Sequence, residues 1–207
     1  MIEPFTSSFL MPTKQFRRLS VLLSIHNNPN VSQHKMAEIS RLSSSMVNNY
    51  IKKFKEEGLL WVSGKTNRIQ TYHLAPAGEQ ELISLLVRYS TEIIQFYGSA
   101  KRELTNRFCE MAAEGVSNVA LFGAAETAEV VYAAIQGTPL TVTAVVDSDS
   151  GKQGKGFNGF RIEEPQELKN QSVDAILITS FARQDEIYDC VRAIVGDKVS
   201  IKRLSDL

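Results

Sequence analysis

Two stretches of this chain carry side chains whose types and spacing suit recognition chemistry. In the first, Ser44, Ser45, Asn48 and Asn49 are followed by Lys52, Lys53 and Lys55. Short hydroxyl and amide groups hydrogen-bond to base edges, and an Asn can meet adenine through two contacts at once. The lysines further along suit phosphate oxygens. Lys65 and Arg68, in the turn Gly64-Lys65-Thr66-Asn67-Arg68, add cations suited to a minor groove or the flanking backbone. The chemistry implied is contact with double-stranded DNA.

The second stretch is Gly123-Ala124-Ala125-Glu126-Thr127-Ala128, which follows the apolar run Asn118–Phe122 and opens a helical segment. A dinucleotide fingerprint, G-x-G-x-x-G/A, belongs at such a place. The first Gly and the final Ala fit it. Ala125 replaces the Gly that lets backbone approach a pyrophosphate, and Glu126 adds negative charge to the first turn. Asp147 ends the next apolar run, 24 residues after Gly123, with Asp149 close behind. That is near the spacing of the acidic residue that bonds ribose hydroxyls.

The elements that must hold these residues are legible from periodicity. Phe16, Leu19, Leu22, Leu23 and Ile25 give residues 14–27 a helical stripe, ended by Asn27-Asn28-Pro29-Asn30. Ser32 caps a short helix to about Ile39, and Ser43 or Ser44 starts a third that runs to Glu57 and stops at Gly58. Met46, Val47, Tyr50, Ile51 and Phe54 form its apolar stripe. Leu59–Ser63 and Ile69–Leu74 read as two strands around the basic turn. Residues 77–114 contain no Pro and read as one long helix, or two broken near Gly98. Leu82, Leu86, Tyr89, Ile93, Phe96, Ala100, Leu104, Phe108 and Met111 recur there at steps of three and four. This is close to a heptad seam, which favours pairing with a second copy of the chain. Beyond residue 116, strands at Asn118–Phe122, Leu140–Val146, Ala175–Thr179 and Val199–Lys202 alternate with helices at Glu126–Gln136 and about Gln184–Val195. Such alternation predicts βαβ units and a parallel sheet. The expected domains are 1–76, 77–115 and 116–207.

Charge follows the same division. The chain has 207 residues and 23 charges of each sign, yet residues 1–75 carry ten basic and four acidic side chains, a net of +6. Residues 76–115 sum to −2 and residues 116–207 to −4. The asymmetry points to a basic module facing nucleic acid, joined to a module with another task. No long uncharged apolar run suggests a membrane span. The first ten residues lack the basic region of a signal peptide, and Cys109, Cys190 and the three histidines match no disulfide or metal spacing. A reducing cytoplasm is the expected location.

The segment Leu42–Leu60 (LSSSMVNNYIKKFKEEGLL), the wing after it and the closing Tyr72–Leu82 (YHLAPAGEQEL) resemble the MarR-type winged helix-turn-helix transcription regulators. Those families show a similar L-T-x-x-G step out of the wing. The stretch Val119–Val191 resembles the small Rossmann-like domains of sugar-nucleotide and polysaccharide-biosynthesis proteins. Its counterparts of their motifs are Phe122-Gly123-Ala124-Ala125, Val146-Asp147-Ser148-Asp149, Gly154-Lys155-Gly156-Phe157-Asn158-Gly159 and Pro165-Gln166-Glu167-Leu168. This second resemblance implies a pocket at the carboxyl ends of the strands for NAD(H), a nucleotide-sugar or a related ligand. Gly123, Ala124, Ala125 and Thr127 would lie by phosphate, Asp147 and Asp149 by a ribose, and Thr179, Ser180 and Phe181 along the wall. The order of the two parts is similar to that of the Rex-type redox repressors.

The expected fold is therefore an α+β winged helix-turn-helix domain, a linking and dimerisation helix, and an α/β Rossmann-like domain. The expected function is a dimeric DNA-binding regulator that senses a nucleotide-type small molecule. Two alternatives stand beside it, a protein–protein adaptor without DNA affinity and a sugar-nucleotide-modifying enzyme. The enzyme reading lacks a Cys/His pair and a G-x-S-x-G elbow, and about ninety residues leave little room for a substrate domain.

Overall fold

A computed structural model describes residues 12–66 and 69–206. The chain divides into two units, Met1–Ile94 and Gln95–Leu207. The division falls inside one helix.

In the first unit, α1 (Lys14–Asn27), α2 (Gln33–Ser40) and α3 (Ser44–Glu56) each begin at a hydroxyl cap. The side chains of Thr13, Ser32 and Ser43 accept the backbone N–H groups of Phe16, Lys35 and Met46. Such caps satisfy donors that the first helical turn leaves free. The helix α3 closes in a Schellman motif: Leu59 N–H reaches Phe54 C=O at 2.8 Å and Gly58 N–H reaches Lys55 C=O at 3.1 Å. Gly58 takes φ +73°, which costs a residue without Cβ nothing. The strands β1 (Leu60–Thr66) and β2 (Ile69–Leu74) pair antiparallel, with Leu60 opposite Leu74 and Thr66 opposite Ile69. Leu19, Leu22, Ile25, Met36, Val47, Ile51, Phe54 and Tyr72 are buried in one core. Three helices and a hairpin around that core make a winged helix-turn-helix.

The helix α4 (Pro76–Ala113) runs 38 residues without a break at Gly98. The expected seam does not stay together along it. Leu82 and Leu85 are buried in the winged core, with Leu86 and Tyr89 packed against it. Phe108 and Met111 are buried in the core of the second unit, with Leu104 packed against it. An ideal helix turns 100° per residue, so a period near 3.5 drifts around it and one stripe serves two cores. The large apolar side chains left exposed along it are Ile83, Val87, Ile93, Ile94, Phe96 and Tyr97. Of these only Ile93 and Phe96 belong to the expected seam.

The second unit is a six-stranded sheet in the order β5-β6-β4-β3-β7-β8. Its strands are β3 (Asn118–Phe122), β4 (Thr141–Val146), β5 (Gly156–Phe157), β6 (Phe160–Glu163), β7 (Ala175–Ile178) and β8 (Ser200–Arg203). The sheet is mixed, which corrects the expected all-parallel one: β5 and β6 form an antiparallel hairpin while every other pairing is parallel. Asn158 and Gly159 both take positive φ at the hairpin turn, as a two-residue loop between twisted strands requires. Two helices, α5 (Glu126–Ile135) and α6 (Gln184–Val195), lie on opposite faces. Val119 and Leu121 face Ala128, Val131 and Ile135, whereas Ala120 and Phe122 face Leu168, Ile187 and Val191. That alternation is the period-two pleat of a strand buried on both sides. No helix among the described residues is long and apolar enough to cross a membrane.

Candidate functional site

The helix α3 buries Val47, Ile51 and Phe54 along one stripe. At 100° per residue the opposite face carries Ser45, Asn49, Lys52 and Glu56, all exposed. Ser44 is exposed in the first turn, and Asn48 is half-buried at the flank. Ser45 Oγ lies 2.8 Å from Ser43 Oγ, so part of its hydrogen-bonding capacity is already used. Lys53 reaches Glu57 at 3.8 Å. Glu56 is acidic, so the neutral polar and basic groups of this face lie in the first three turns. Met46, expected in the apolar stripe, is 37% exposed and projects beside Asn49. Lys65 lies in β1, and Arg68 falls outside the described residues.

One ion-pair network holds α3 in place. The Arg18 guanidinium bonds Glu57, at the end of α3, and both carboxylate oxygens of Glu81 on α4. It also sits 4.7 Å above the Phe54 ring. Hydrogen bonding to Glu81 leads in raising the Arg18 pKa further above its ordinary value, against some loss of solvation. Sequence reading missed Arg18, because its partners lie 39 and 63 residues away.

The last residue of α2 holds a polar liability. Ser40 is 1% exposed and its Oγ has no hydrogen-bond partner among the described residues. A buried hydroxyl left unpaired costs free energy. Ser40→Ala is therefore expected to raise winged-unit stability by up to about 1 kcal/mol in chemical denaturation; a clear loss would show the hydroxyl to be satisfied.

In the second unit the strand order reverses at β3, and the carboxyl ends of β3, β4 and β7 bring the remaining candidate residues together. Gly123 has φ +110°, and a Cβ there would stand 2.8 Å from Thr179 Oγ1. Thr179 is buried and its hydroxyl donates toward Phe122 C=O at 2.8 Å and Gly123 C=O at 2.7 Å, locking the end of β7 to β3. Ala125 caps α5 with ordinary extended backbone (φ −133°), so no Gly is needed there for conformation, and it supplies no side-chain cap. Ser180 and Thr127 are half-buried; Phe181 and Asp149 are exposed.

Asp147 is the hub of this edge. Its Oδ2 accepts Ala124 N–H at 2.8 Å and Lys152 Nζ at 3.0 Å, and its Oδ1 accepts Asp149 N–H at 2.9 Å. Gln153 donates to the Asp147 carbonyl at 2.9 Å. Burial pulls the carboxyl pKa up, but the Asp149 and Ala124 N–H groups and the Lys152 ammonium outweigh it and hold it below the usual carboxylate range. The Ala124 N–H, a donor a phosphate would use at this turn, is thus engaged by an internal carboxylate. Lys152 and Gln153 were not legible as site residues; the signal available was their place in the loop just after Asp147. Among the described residues, no group of three or more His, Cys, Asp and Glu side chains is arranged to hold a metal ion.

Comparison with known proteins finds a match for each of two segments. Residues 17–67 match the MarR family, and residues 115–201 match a domain described as C2185-like, N-terminal. No curated protein matches the chain. Among solved structures, the chain is similar to the PcaV transcriptional regulator from Streptomyces coelicolor in complex with its natural ligand (20% identity, 45% of this chain and 62% of that one, TM-score 0.37). It is also similar to MepR, a transcription regulator of the Staphylococcus aureus multidrug efflux pump MepA (15%, 40% and 62%, TM-score 0.34). A third is BpsR of Bordetella bronchiseptica, whose DNA binding is regulated by 6-hydroxynicotinic acid (22%, 44% and 67%, TM-score 0.33). The chain spans about 62% of the length of the first two regulators.

Proposed function

We propose that this chain is a dimeric DNA-binding transcription regulator whose second unit takes a nucleotide-type small molecule. One observation carries the DNA half: the outward face of α3 presents Ser45, Asn49 and Lys52 free of the core, in a segment of net charge +6. A helix fits the major groove, and its first turns reach base edges while cations beside them meet phosphates. The match of residues 17–67 to the MarR family supports the same reading.

The test is anisotropy of a labelled duplex against salt. Affinity is expected to fall steeply from low to physiological salt, and Lys52→Ala to lower the log–log slope by about 1, as loss of one phosphate contact does. Binding that ignores salt, or no binding at low salt, would overturn the reading.

The strand order β6-β4-β3-β7-β8 supports a ligand at the carboxyl edge, since open α/β sheets bind ligands where the order reverses. A phosphate at the Gly123 turn would share its donors with Asp147. Thermal shift with NAD(H) and nucleotide-sugars tests this, because a bound ligand raises apparent stability. No shift with any of them leaves a DNA-binding protein without this sensor. Dimerisation rests on Ile83, Val87, Ile94 and Tyr97, which recur on one side of α4 and are exposed. Sedimentation of Ile94→Glu, monomeric where the parent is dimeric, is the expected result.

A further inference from the structure

We infer that α3 reads an adenine through Asn49 and an adjacent thymine methyl through Met46, so that the preferred site contains an A·T pair at the centre of each recognition-helix contact. This rests on the DNA-binding reading. Four polar residues stand in the first two turns of α3, and the structure separates them. Ser44 lies toward the edge of the exposed face, Asn48 is half-buried, and Ser45 shares its hydroxyl with Ser43. Asn49 is exposed, lies opposite the buried stripe of Val47, Ile51 and Phe54, and makes no side-chain hydrogen bond among the described residues. Its carboxamide offers one donor and one acceptor side by side, the complement of adenine N7 and N6 in the major groove.

Met46 supplies the second observation. It precedes Asn49 by three residues, so the two side chains are neighbours on the helix surface. It is 37% exposed, whereas Val47, Ile51 and Phe54 of the apolar stripe are buried and Tyr50 is half-buried. Against a groove, a thioether gains by covering apolar surface, and the thymine C5-methyl is the apolar group that a major groove displays. Lys52, one turn beyond Asn49, carries a point charge and suits a phosphate.

The full chain is first taken through site selection from random duplex DNA, and the selected duplex is then chemically edited. Replacing the central adenine with 7-deazaadenine removes its N7 acceptor and is expected to weaken the parent protein roughly 2- to 10-fold, the range of one hydrogen bond. Asn49→Ala should bind both duplexes alike, while Asn48→Ala keeps the discrimination. Replacing the neighbouring thymine with uracil removes only the methyl and should cost about fourfold, the effect of one buried methyl group. Met46→Ala should be insensitive to that change. Selected sites without A·T preference, or Asn49→Ala retaining the parent's discrimination, would overturn the inference while leaving DNA binding intact. Absence of binding to any duplex would remove the DNA-binding reading and this inference with it.

Discussion

Gly78→Ala is expected to destabilise the winged unit by about 3 kcal/mol, at the upper end of what overpacking costs. A Cβ at this position would stand 2.1 Å from the Leu59 carbonyl oxygen and 3.1 Å from its carbon. Both are backbone atoms, so no side chain can swing aside. The same carbonyl accepts the Ala75 N–H at 2.8 Å, and Leu59 closes α3 through its bond to Phe54. Relief therefore requires α4, the exit from the wing or the end of α3 to move. The control lies in the same helix. A Cβ at Gly98 meets only Arg102 Nη1, at 3.5 Å, so Gly98→Ala is expected to add about 0.5–1 kcal/mol through helix propensity. Urea denaturation followed by far-ultraviolet circular dichroism reads both signs. Equal stability of Gly78→Ala and the parent would refute the close approach.

Asp147→Ala is expected to destabilise the sheet unit by about 2 kcal/mol. It leaves the N–H groups of Ala124 and Asp149, both in part-buried hydrogen bonds, without their acceptor, and an unsatisfied donor shielded from water costs about 1–3 kcal/mol. The effect carries a pH signature. The folded carboxyl titrates below its unfolded value of about 3.9, so its contribution is complete above that pH. It is lost as pH falls through the lower, folded value. The gap in melting temperature between parent and Asp147→Ala should thus be constant near neutrality and shrink below about pH 4. A gap that persists unchanged into strong acid would show that the carboxylate does not hold this turn.

The contacts of Asp147 bear on ligand binding. An internal anion occupies the position at the Gly123 turn that a ligand phosphate would approach, and Lys152 partly neutralises it. The spacing of Asp147 from Gly123 was legible, but the bonds it makes were not. An Asp at the end of a strand reads the same whether it faces a ribose or closes on the neighbouring turn. The short hairpin β5–β6 escaped notice because two- and four-residue strands show almost no alternation, although Asn158-Gly159 marks its turn.

Sequence determined the parts whose causes are local. Hydroxyl caps at Thr13, Ser32 and Ser43, the stop at Gly58, the helical stripes and the apolar runs of β3, β4 and β7 all depend on residues within about two turns of one another. Backbone spacing settles them before any distant contact forms. Tertiary structure decided what a stripe is for. It divided the α4 seam between two cores, turned Met46 outward beside Asn49, and set Arg18 between Glu57 and Glu81. It also placed Gly78 against Leu59 and Asp147 against Ala124. These outcomes depend on which of several apolar faces wins burial, and that competition is settled by packing between residues far apart in the chain.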